Sequence, residues 1–235
     1  MSENNSNIES VMFKVIDILN NNNIDYWLTD GTLLGIIREN RILPWDLDID
    51  IGIWKSDTPI TNLINLFEKN GFKYIERLPD INSLHFIHDK YMIDINMYSQ
   101  NENEVFTKWA SNPKGFFDRI FVKVVNSFFE TQQGNQMLKE NNLINYIKKI
   151  VGLLGRNLPK STLKKAYAYA RKKYDYKGCV YPIELLKSTK MIFKGRELIV
   201  PIESHEYLAL TYGDNWKIPN KDYNWEEDTK NLNSL

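Results

Sequence analysis

Three aspartates alternate with strand-forming residues in the run from Pro44 to Ile53. Asp is a poor strand former, so three in one strand need a strong reason. In an extended chain successive side chains point to opposite faces, which gives one acidic face and one apolar face. The acidic residues are Asp46, Asp48 and Asp50, and the apolar ones are Leu47, Ile49, Ile51 and Ile53. Like charges this close call for protonation, a Lys or Arg neighbour, or a divalent cation, so the run predicts a metal site.

Composition limits the class of protein. The 235 residues can bury a full core, either as one large domain or as a catalytic half with a helical extension. Thirty Lys and Arg balance thirty Asp and Glu, which gives no reason to expect nucleic-acid binding. Cys179 is the single cysteine, which excludes a disulfide framework and a Cys-based zinc cluster. There is no secretory pattern and no segment of roughly 20 apolar residues, so we expect a soluble cytoplasmic protein.

Hydrophobic periodicity predicts helices and strands in turn over the first hundred residues. Apolar residues at helical spacing predict a first helix, and short β-branched or aromatic segments bounded by turn residues predict strands. The predicted helices cover 8–20, 33–38 and the segment from Ser56 or Asp57 to Gly71, and the predicted strands cover 24–28, 47–54, 72–77, 83–88 and 91–98. The pattern indicates an α+β protein.

A turn before the aspartate strand and an acid after it complete a possible phosphate site. Gly31-Thr32 enters a predicted helix, where backbone amides and a hydroxyl can hold phosphate oxygens. Asp94 lies isolated among strand formers, 44 positions after Asp50. Paired carboxylates on a strand can hold Mg²⁺, and a third on an adjacent strand could complete the cage or deprotonate a hydroxyl. Together these parts suffice for phosphoryl or nucleotidyl transfer.

Each part also has a structural interpretation. Gly31-Thr32 alone is often an ordinary turn, and Asp94 alone could be a buried, hydrogen-bonded carboxylate. Asp46 follows Pro44-Trp45 and could cap that turn, so we assign it a supporting role. His85 and His88 lack the helical spacing of a metal pair and alternate to opposite strand faces, so we interpret both as structural. The absence of a Walker loop and of a Gly-x-Ser-x-Gly elbow removes the main support for an ATPase or a serine hydrolase.

A basic segment lies in the second half of the chain. From about residue 103 to 178 the sequence is predicted to be mostly helical, and basic residues strongly outnumber acids between 148 and 177. A solvated helical face explains this as well as an anionic partner does, either a membrane surface or a phosphate-bearing acceptor. We expect this basic region to make peripheral contact with the inner face of an anionic membrane.

Two motifs carry a family resemblance. The segment Tyr26 to Arg38 contains Gly-Thr-Leu-Leu-Gly and a following arginine, and Ile42 to Gly52 contains Pro-Trp-Asp-x-Asp-x-Asp. Both closely resemble the signature of the LicD/fukutin family. Residues Val200-Pro201, Tyr207-Leu208 and 212–216 are similar to that family's closing block, so the resemblance runs from about 24 to 219.

The resemblance implies a nucleotidyltransferase-type mixed β-sheet flanked by helices, with a helical insertion or extension. It implies transfer of phosphocholine or a polyol phosphate such as ribitol phosphate from a CDP-linked donor to a glycan or lipid-linked oligosaccharide, as in lipopolysaccharide or teichoic acid biosynthesis. Asp48 and Asp50 match the paired Mg²⁺ or Mn²⁺ ligands, and Asp94 resembles the third carboxylate. Gly31 and Thr32 match the phosphate-holding turn, and Arg38 matches the motif arginine.

The expected organisation follows from these assignments. Residues 1–100 form the catalytic core, 101–180 a mostly helical basic region, 181–219 a hairpin and helix packed on the core, and 220–235 a polar tail. Two other functions stay open: nucleotide transfer from an NTP to a small molecule or protein, and a non-catalytic, cation-dependent glycan or membrane-surface binding module.

Overall fold

The computed structural model describes residues 2–55, 58–76, 82–132 and 158–234, together with positions 150 and 152. Its chain divides into two compact units. The first contains Met1–Tyr74, Asn82–Trp109 and Lys177–Leu235, and the second contains Ile75–Ile81 and Ala110–Tyr176. The domain boundaries expected from the sequence stay a prediction.

Helices and strands follow one another along the described chain. In order they are α1 (Ser2–Asn21), β1 (Tyr26–Leu28), α2 (Asp30–Glu39), β2 (Asp48–Trp54), α3 (Ile60–Lys69), β3 (Lys73–Ile75), β4 (Ser83–His88), β5 (Tyr91–Gln100), β6 (Glu104–Ser111), α4 (Phe116–Gln132), α5 (Lys160–Arg171), β7 (Asp175–Pro182), a 3-10 turn (Ile183–Leu186), β8 (Ser188–Phe193), β9 (Arg196–Pro201), α6 (Ser204–Tyr212), α7 (Trp225–Asp228) and β10 (Leu232–Ser234). The elements predicted over residues 8–98 are therefore confirmed, with shifts of up to six residues at their ends, and the helix start predicted at Ser56 or Asp57 lies outside the described residues.

The main sheet is mixed. Its strands run in the order β1, β2, β5, β6, β7 and β10, while β4 pairs with β5 and β3 with β4. Strands β2 and β5 are parallel, and β1 with β2, β4 with β5, and β7 with β10 are antiparallel. Strands β8 and β9 form a separate hairpin. A mixed sheet with helices confirms the α+β class expected from the sequence.

The alternation of β2 sets the position of the core. Ile49, Ile51 and Ile53 are buried on one face, where each contributes about 1.5–3 kcal/mol by leaving water. The predicted stripe of α1 is buried in the same core: Ile8, Val11, Met12, Val15, Ile18 and Leu19. Leu47 was expected on this apolar face, but it precedes the strand and is 52% exposed. Because side chains alternate along β2, Asp48 and Asp50 lie on the face opposite these isoleucines.

Strand pairing between distant segments adds elements that local pattern does not predict. The region 101–180, expected to be mostly helical, begins with β6 and ends in β7. The polar tail contributes β10, whose backbone pairs with β7 at Leu232 opposite Cys179. An edge strand such as β7 offers unpaired backbone groups to any nearby extended segment, whatever its side chains.

The second unit contains α4 and α5. Val122 and Val125 of α4 are buried with Ala170 of α5, and Lys173 forms an ion pair with Asp118. The first turns of α4 expose large apolar side chains: Phe116, Phe117 and Ile120. No helix in the described ranges has the length and apolar character that a bilayer crossing requires.

A close contact on the site face of β2 leads to a stability prediction. A Cβ at Gly52 would lie 2.4 Å from Cε2 of Trp27, which is fully buried between Trp54 and Tyr98. We expect Gly52→Ala to lower the free energy of unfolding by about 1–3 kcal/mol, the usual cost of overpacking a core. Urea denaturation measures the change. Gly115→Ala is the control, since its Cβ would meet nothing closer than 3.4 Å, and an equal loss in both variants would contradict the prediction.

Candidate functional site

Three predicted carboxylates meet on one face of the main sheet. Asp48 and Asp50 alternate along β2, and the parallel register of β2 and β5 sets Asp50 directly beside Asp94. All three are partly exposed, whereas Ile49 between them is fully buried. The structure thus brings together the acids that the sequence assigned to one site.

The N-terminus of α2 faces these carboxylates. The backbone N–H of Thr32 donates to Oδ2 of Asp50 at 3.3 Å, and the N–H of Asp50 donates to the Thr32 hydroxyl at 2.8 Å. The positive end of the helix dipole therefore lies against an acidic side chain, which is a favourable arrangement. Thr32 is fully buried and tethers Asp50. Its proposed contact with phosphate stays a prediction.

Gly31 leaves the room that two of the carboxylates occupy. A Cβ at this position would lie 2.6 Å from Oδ2 of Asp46 and 3.2 Å from Oδ2 of Asp50. Any side chain would have to displace at least one acid. Close approach of the carboxylates to the helix N-terminus is thus one reason for glycine here, alongside the phosphate contact predicted from the sequence.

Asp46 belongs to the cluster as well as to the turn before β2. Its N–H donates to the carbonyl of Leu43, as expected for a turn residue. Burial raises the pKa of Asp46 to about 9, with further increases from a hydrogen bond with Asp48 and from repulsion by Asp48 and Asp94. The supporting role assigned from the sequence therefore understates its contact with the other acids.

Asp30 is a fifth carboxylate of the cluster and is not among the site residues predicted from the sequence. It is the first residue of α2 and has a φ of 45°, a left-handed conformation that Asp tolerates better than most residues. Burial raises its pKa to about 6, while hydrogen bonds from Thr29, Tyr207 and Asn96 oppose the increase. The sequence signal that could have identified Asp30 is its position directly before the Gly31-Thr32 turn.

Mutual repulsion is a major contribution to the electrostatics of the site. The pKa of Asp50 is raised well above its ordinary value, first by burial and then by Asp48, Asp30, Asp46 and Asp94. Hard carboxylate oxygens are the ligands that Mg²⁺ and Mn²⁺ prefer, and a divalent cation would relieve this repulsion. Among the described residues no group of three or more His, Cys, Asp or Glu is already arranged to hold a metal ion. The donor set fits such a cation by its chemistry, and the cation itself stays a proposal.

A buried hydrogen-bond network supports Asp30. The Thr29 hydroxyl bonds to the hydroxyls of Tyr98 and Tyr207. Tyr207 donates to Oδ1 of Asp30 at 3.4 Å, and Asn96 donates to Oδ2 at 3.2 Å. Asn96 shares the face of Asp94 on β5, so alternation could have identified it. Tyr207 comes from α6, and no local sequence signal connects it to Asp30.

Arg38 lies at the other end of α2. At about 1.5 Å per residue, its backbone is about 10 Å along the axis from Gly31. Its guanidinium donates to the carboxylate of Glu39 at 2.7 Å and to the carbonyl of Trp216 at 3.2 Å. The structure thus pairs Arg38 with Glu39, and the phosphate contact predicted for Arg38 is not tested by these contacts.

The two histidines of β4 have different surroundings. Nδ1 of His88 bonds to the carbonyl of Gly71, and its ring stacks on Phe72, which fits a structural role. Nδ1 of His85 lies 2.7 Å from Oδ1 of Asp94. Both histidines were predicted to be structural, but His85 borders the acidic cluster.

Comparison with known proteins gives a family match over the same region. A family model for the LicD/FKTN/FKRP nucleotidyltransferase domain matches residues 23–141, about half of the chain. The matched segment contains all five aspartates of the cluster. A lincomycin-bound crystal structure of the lincosamide antibiotic adenylyltransferase LnuA aligns over 89% of this chain and 93% of its own, with 15% identity and a TM-score of 0.45.

Curated relatives match over different lengths. Human ribitol-5-phosphate transferase FKTN is 23% identical over 214 residues, which cover 91% of this chain and 34% of that protein. Human ribitol 5-phosphate transferase FKRP is 44% identical over 43 residues, 18% of this chain and 9% of that protein. An uncharacterized protein of Rickettsia typhi is 35% identical over 100 residues, 38% of this chain and 32% of that one. The chain therefore spans about a third or less of these relatives.

The raised pKa of Asp46 leads to a prediction about pH. A carboxyl whose pKa rises on folding stabilises the fold fully below its ordinary pKa of 3.8, and this contribution is lost as the pH increases toward 9. Without divalent cations, we expect Asp46→Asn to match wild type near pH 4. At pH 8 its Tm should be higher by at least about 2–4 °C, the shift that about 1 kcal/mol gives at this size.

Calorimetry in a chelating buffer at several pH values measures the difference in Tm. Asp25→Asn is the control, because Asp25 is exposed and lies outside the acidic cluster. A difference between Asp46→Asn and wild type that stays constant from pH 4 to pH 9 would contradict the prediction.

Proposed function

Because the chain belongs to the LicD/FKTN/FKRP family, we propose that it transfers a phospho-alcohol from a CDP-linked donor to a hydroxyl of a cell-surface glycan. The alcohol would be choline or a polyol such as ribitol, since curated relatives over part of their length are ribitol-5-phosphate transferases. The observation that carries the proposal is the row of Asp48, Asp50 and Asp94 beside the N-terminus of α2. This is an acidic site next to a helix end that favours anions.

The acidic cluster suits a divalent cation. Asp48, Asp50 and Asp94 would hold Mg²⁺ or Mn²⁺, because their oxygens are hard ligands and their charges repel one another in its absence. The bound cation would neutralise negative charge on the transferred phosphoryl group. Gly31 would contribute its backbone amide at the positive end of α2, and the Thr32 amide would exchange its bond to Asp50 for one to a phosphate oxygen. Arg38 would contribute charge at the far end of the helix.

The proposed reaction is a displacement at phosphorus. An oxygen of the glycan hydroxyl forms a bond to the phosphorus that carries the alcohol. The bond from that phosphorus to the bridging oxygen of the pyrophosphate breaks, and CMP leaves with the bonding electrons. Asp94 accepts the hydroxyl proton, because it lies beside Asp50 and is itself partly exposed. The products are the phosphodiester-linked glycan, CMP and a protonated Asp94.

Loss of one carboxylate tests this function. With Mg²⁺, CDP-choline or CDP-ribitol and a glycan acceptor, we expect CMP release by the wild-type protein and a loss of at least about 100-fold in Asp48→Asn, the range seen when an electrostatic catalytic group is removed. Chromatographic quantification of CMP measures the rate. Asp25→Asn, an exposed substitution of the same type, should keep the wild-type rate. Unchanged CMP release in Asp48→Asn would refute the assignment.

The same assay separates the two rival functions. An NTP-dependent nucleotidyltransferase would release pyrophosphate from an NTP and would release no CMP from a CDP-alcohol. A non-catalytic binding module would turn over neither substrate and would still bind glycan or vesicles after Asp48→Asn. Either result would replace the proposed reaction with the corresponding alternative.

We further propose that the second unit contacts an anionic membrane surface. The basic residues of α5 and the turn after it project into solvent: Lys164, Lys165, Arg171 and Lys172. In the same unit, Phe116 and Phe117 of α4 are 70% and 83% exposed. A combination of exposed aromatic rings and basic side chains is typical of segments that bind at a lipid interface. Lys148, Lys149 and Arg156 of the predicted basic region lie outside the described residues.

Vesicle binding tests the membrane contact. We expect co-sedimentation with phosphatidylglycerol vesicles but not with phosphatidylcholine vesicles, and weaker binding at high salt because exposed charges are screened. Phe116→Ser combined with Phe117→Ser should reduce the bound fraction. Ile192→Ser, which alters an equally exposed apolar residue of the first unit, is the control. Equal binding to both kinds of vesicle would count against an electrostatic membrane contact.

A further inference from the structure

One row of side chains crosses three strands at the candidate site. Antiparallel pairing of β4 with β5 sets His85 opposite Asp94, and parallel pairing of β5 with β2 sets Asp94 opposite Asp50. Directly paired residues point to the same face of a sheet. His85, Asp94 and Asp50 therefore stand side by side on the face that carries the other acids.

The contact between His85 and Asp94 is close. Nδ1 lies 2.7 Å from Oδ1, and the two side chains are 14% and 19% exposed. When Asp94 is ionised, as cation binding requires, its carboxylate can only accept, so Nδ1 then carries the hydrogen and donates it. A hydrogen bond to an ion is among the stronger ones in proteins. It fixes the rotation of the Asp94 carboxylate, which is otherwise broadly distributed about its last torsion.

We propose that His85 is a positioning residue that holds the Asp94 carboxylate in the orientation needed to bind a divalent cation together with Asp50 and to accept the acceptor's proton. This role rests on the proposed function, because Asp94 is one of the carboxylates to which that function assigns cation binding and proton transfer. Carboxylates that bind metals are themselves oriented by hydrogen bonds, and loss of such a partner typically costs about 10–100-fold in metal affinity or activity.

His88 supplies a comparison within the same strand. It lies three residues after His85, so it points to the opposite face of β4, where it bonds to Gly71 and stacks on Phe72. A histidine that only supports the fold should behave like His88 when it is replaced. A positioning residue should instead alter cation binding and turnover at unchanged stability.

Four variants test the proposal. His85→Phe keeps a ring and removes the donor, while His85→Asn keeps an amide donor near the position of Nδ1. His88→Phe preserves the stack on Phe72 and is the control for loss of a β4 histidine. If His85→Phe does not fold, His85→Gln replaces it, because its amide is displaced by one methylene.

Calorimetric titration with Mn²⁺ alone gives the first measurement, and kcat and KM for the CDP-alcohol give the second. We expect His85→Phe to raise the Kd for Mn²⁺ by about 10–100-fold and to lower kcat, with little change in donor KM. His85→Asn should restore most of both properties, and His88→Phe should match wild type.

Each outcome decides the proposal. Wild-type Mn²⁺ affinity in His85→Phe would overturn it, and so would an equal loss in His85→Asn, because the hydrogen bond would then not be what matters. If the wild-type protein releases no CMP but His85→Phe still weakens Mn²⁺ binding, the positioning role stands and the proposed function fails. If CMP is released equally by wild type and His85→Phe, the function stands and the positioning role fails.

Discussion

The paired hydrogen bonds between Thr32 and Asp50 join α2 to β2 at the point where the carboxylates collect. They hold one acid against the positive end of a helix while Asp46, Asp48 and Asp94 lie near it. Without these two hydrogen bonds, repulsion among the carboxylates and the loss of their hydration would favour moving the acids apart. The apolar side of β2 opposes that movement, because Ile49 and Ile51 are fixed in the core. The cluster is therefore maintained by the surrounding fold at some expense of stability, as functional sites commonly are.

The C-terminal segment completes this arrangement from a distance of more than 170 residues. Tyr207 of α6 shares hydrogen bonds with Thr29 and Asp30, and its ring stacks on Tyr181 at 4.8 Å. Both tyrosines are fully buried, so their hydroxyls need partners, and the start of α2 supplies one for Tyr207. The same contacts hold Asp30 in a left-handed conformation that would otherwise be unfavourable. Residues after β9 thus contribute to the geometry of the acidic face, although their own chemistry is neutral.

The local sequence pattern was sufficient to predict the two faces of β2, but it was insufficient to predict how β2 pairs with its neighbouring strands. Alternation alone identified the face of Asp48 and Asp50, because a buried strand has a period of two. The partnership of Asp50 with Asp94 depends on a parallel crossover, whose register no local signal specifies. The position of His85 could have been found. A two-residue turn at Asp89-Lys90 pairs His88 with Tyr91, and counting three residues away from the turn on each strand brings His85 opposite Asp94. Arg38 was identified by its match to a family motif. A motif match identifies a residue but does not predict its contacts, which here are with Glu39 and Trp216.

The direction of β1 explains why α2, rather than a helix that follows β2, serves the site. Ligands of open parallel sheets bind at the carboxyl ends of strands, where the next helix begins. Here Asp48 and Asp50 lie at the amino end of β2. Because β1 is antiparallel to β2, with Leu28 opposite Ile51, the carboxyl end of β1 adjoins that same end. The chain passes from β1 through Thr29 directly into α2, so the N-terminus of the helix meets Asp50.

The other end of the same strand is closed by packing. Gly52 lies against the indole of Trp27, which is buried with Trp54 and Tyr98. The site face of β2 therefore changes within seven residues from acidic to tightly packed aromatic. Trp45 and Leu47, just before the strand, are 40% and 52% exposed. The carboxylates of β2 therefore lie between an exposed segment on one side and packed aromatic rings on the other.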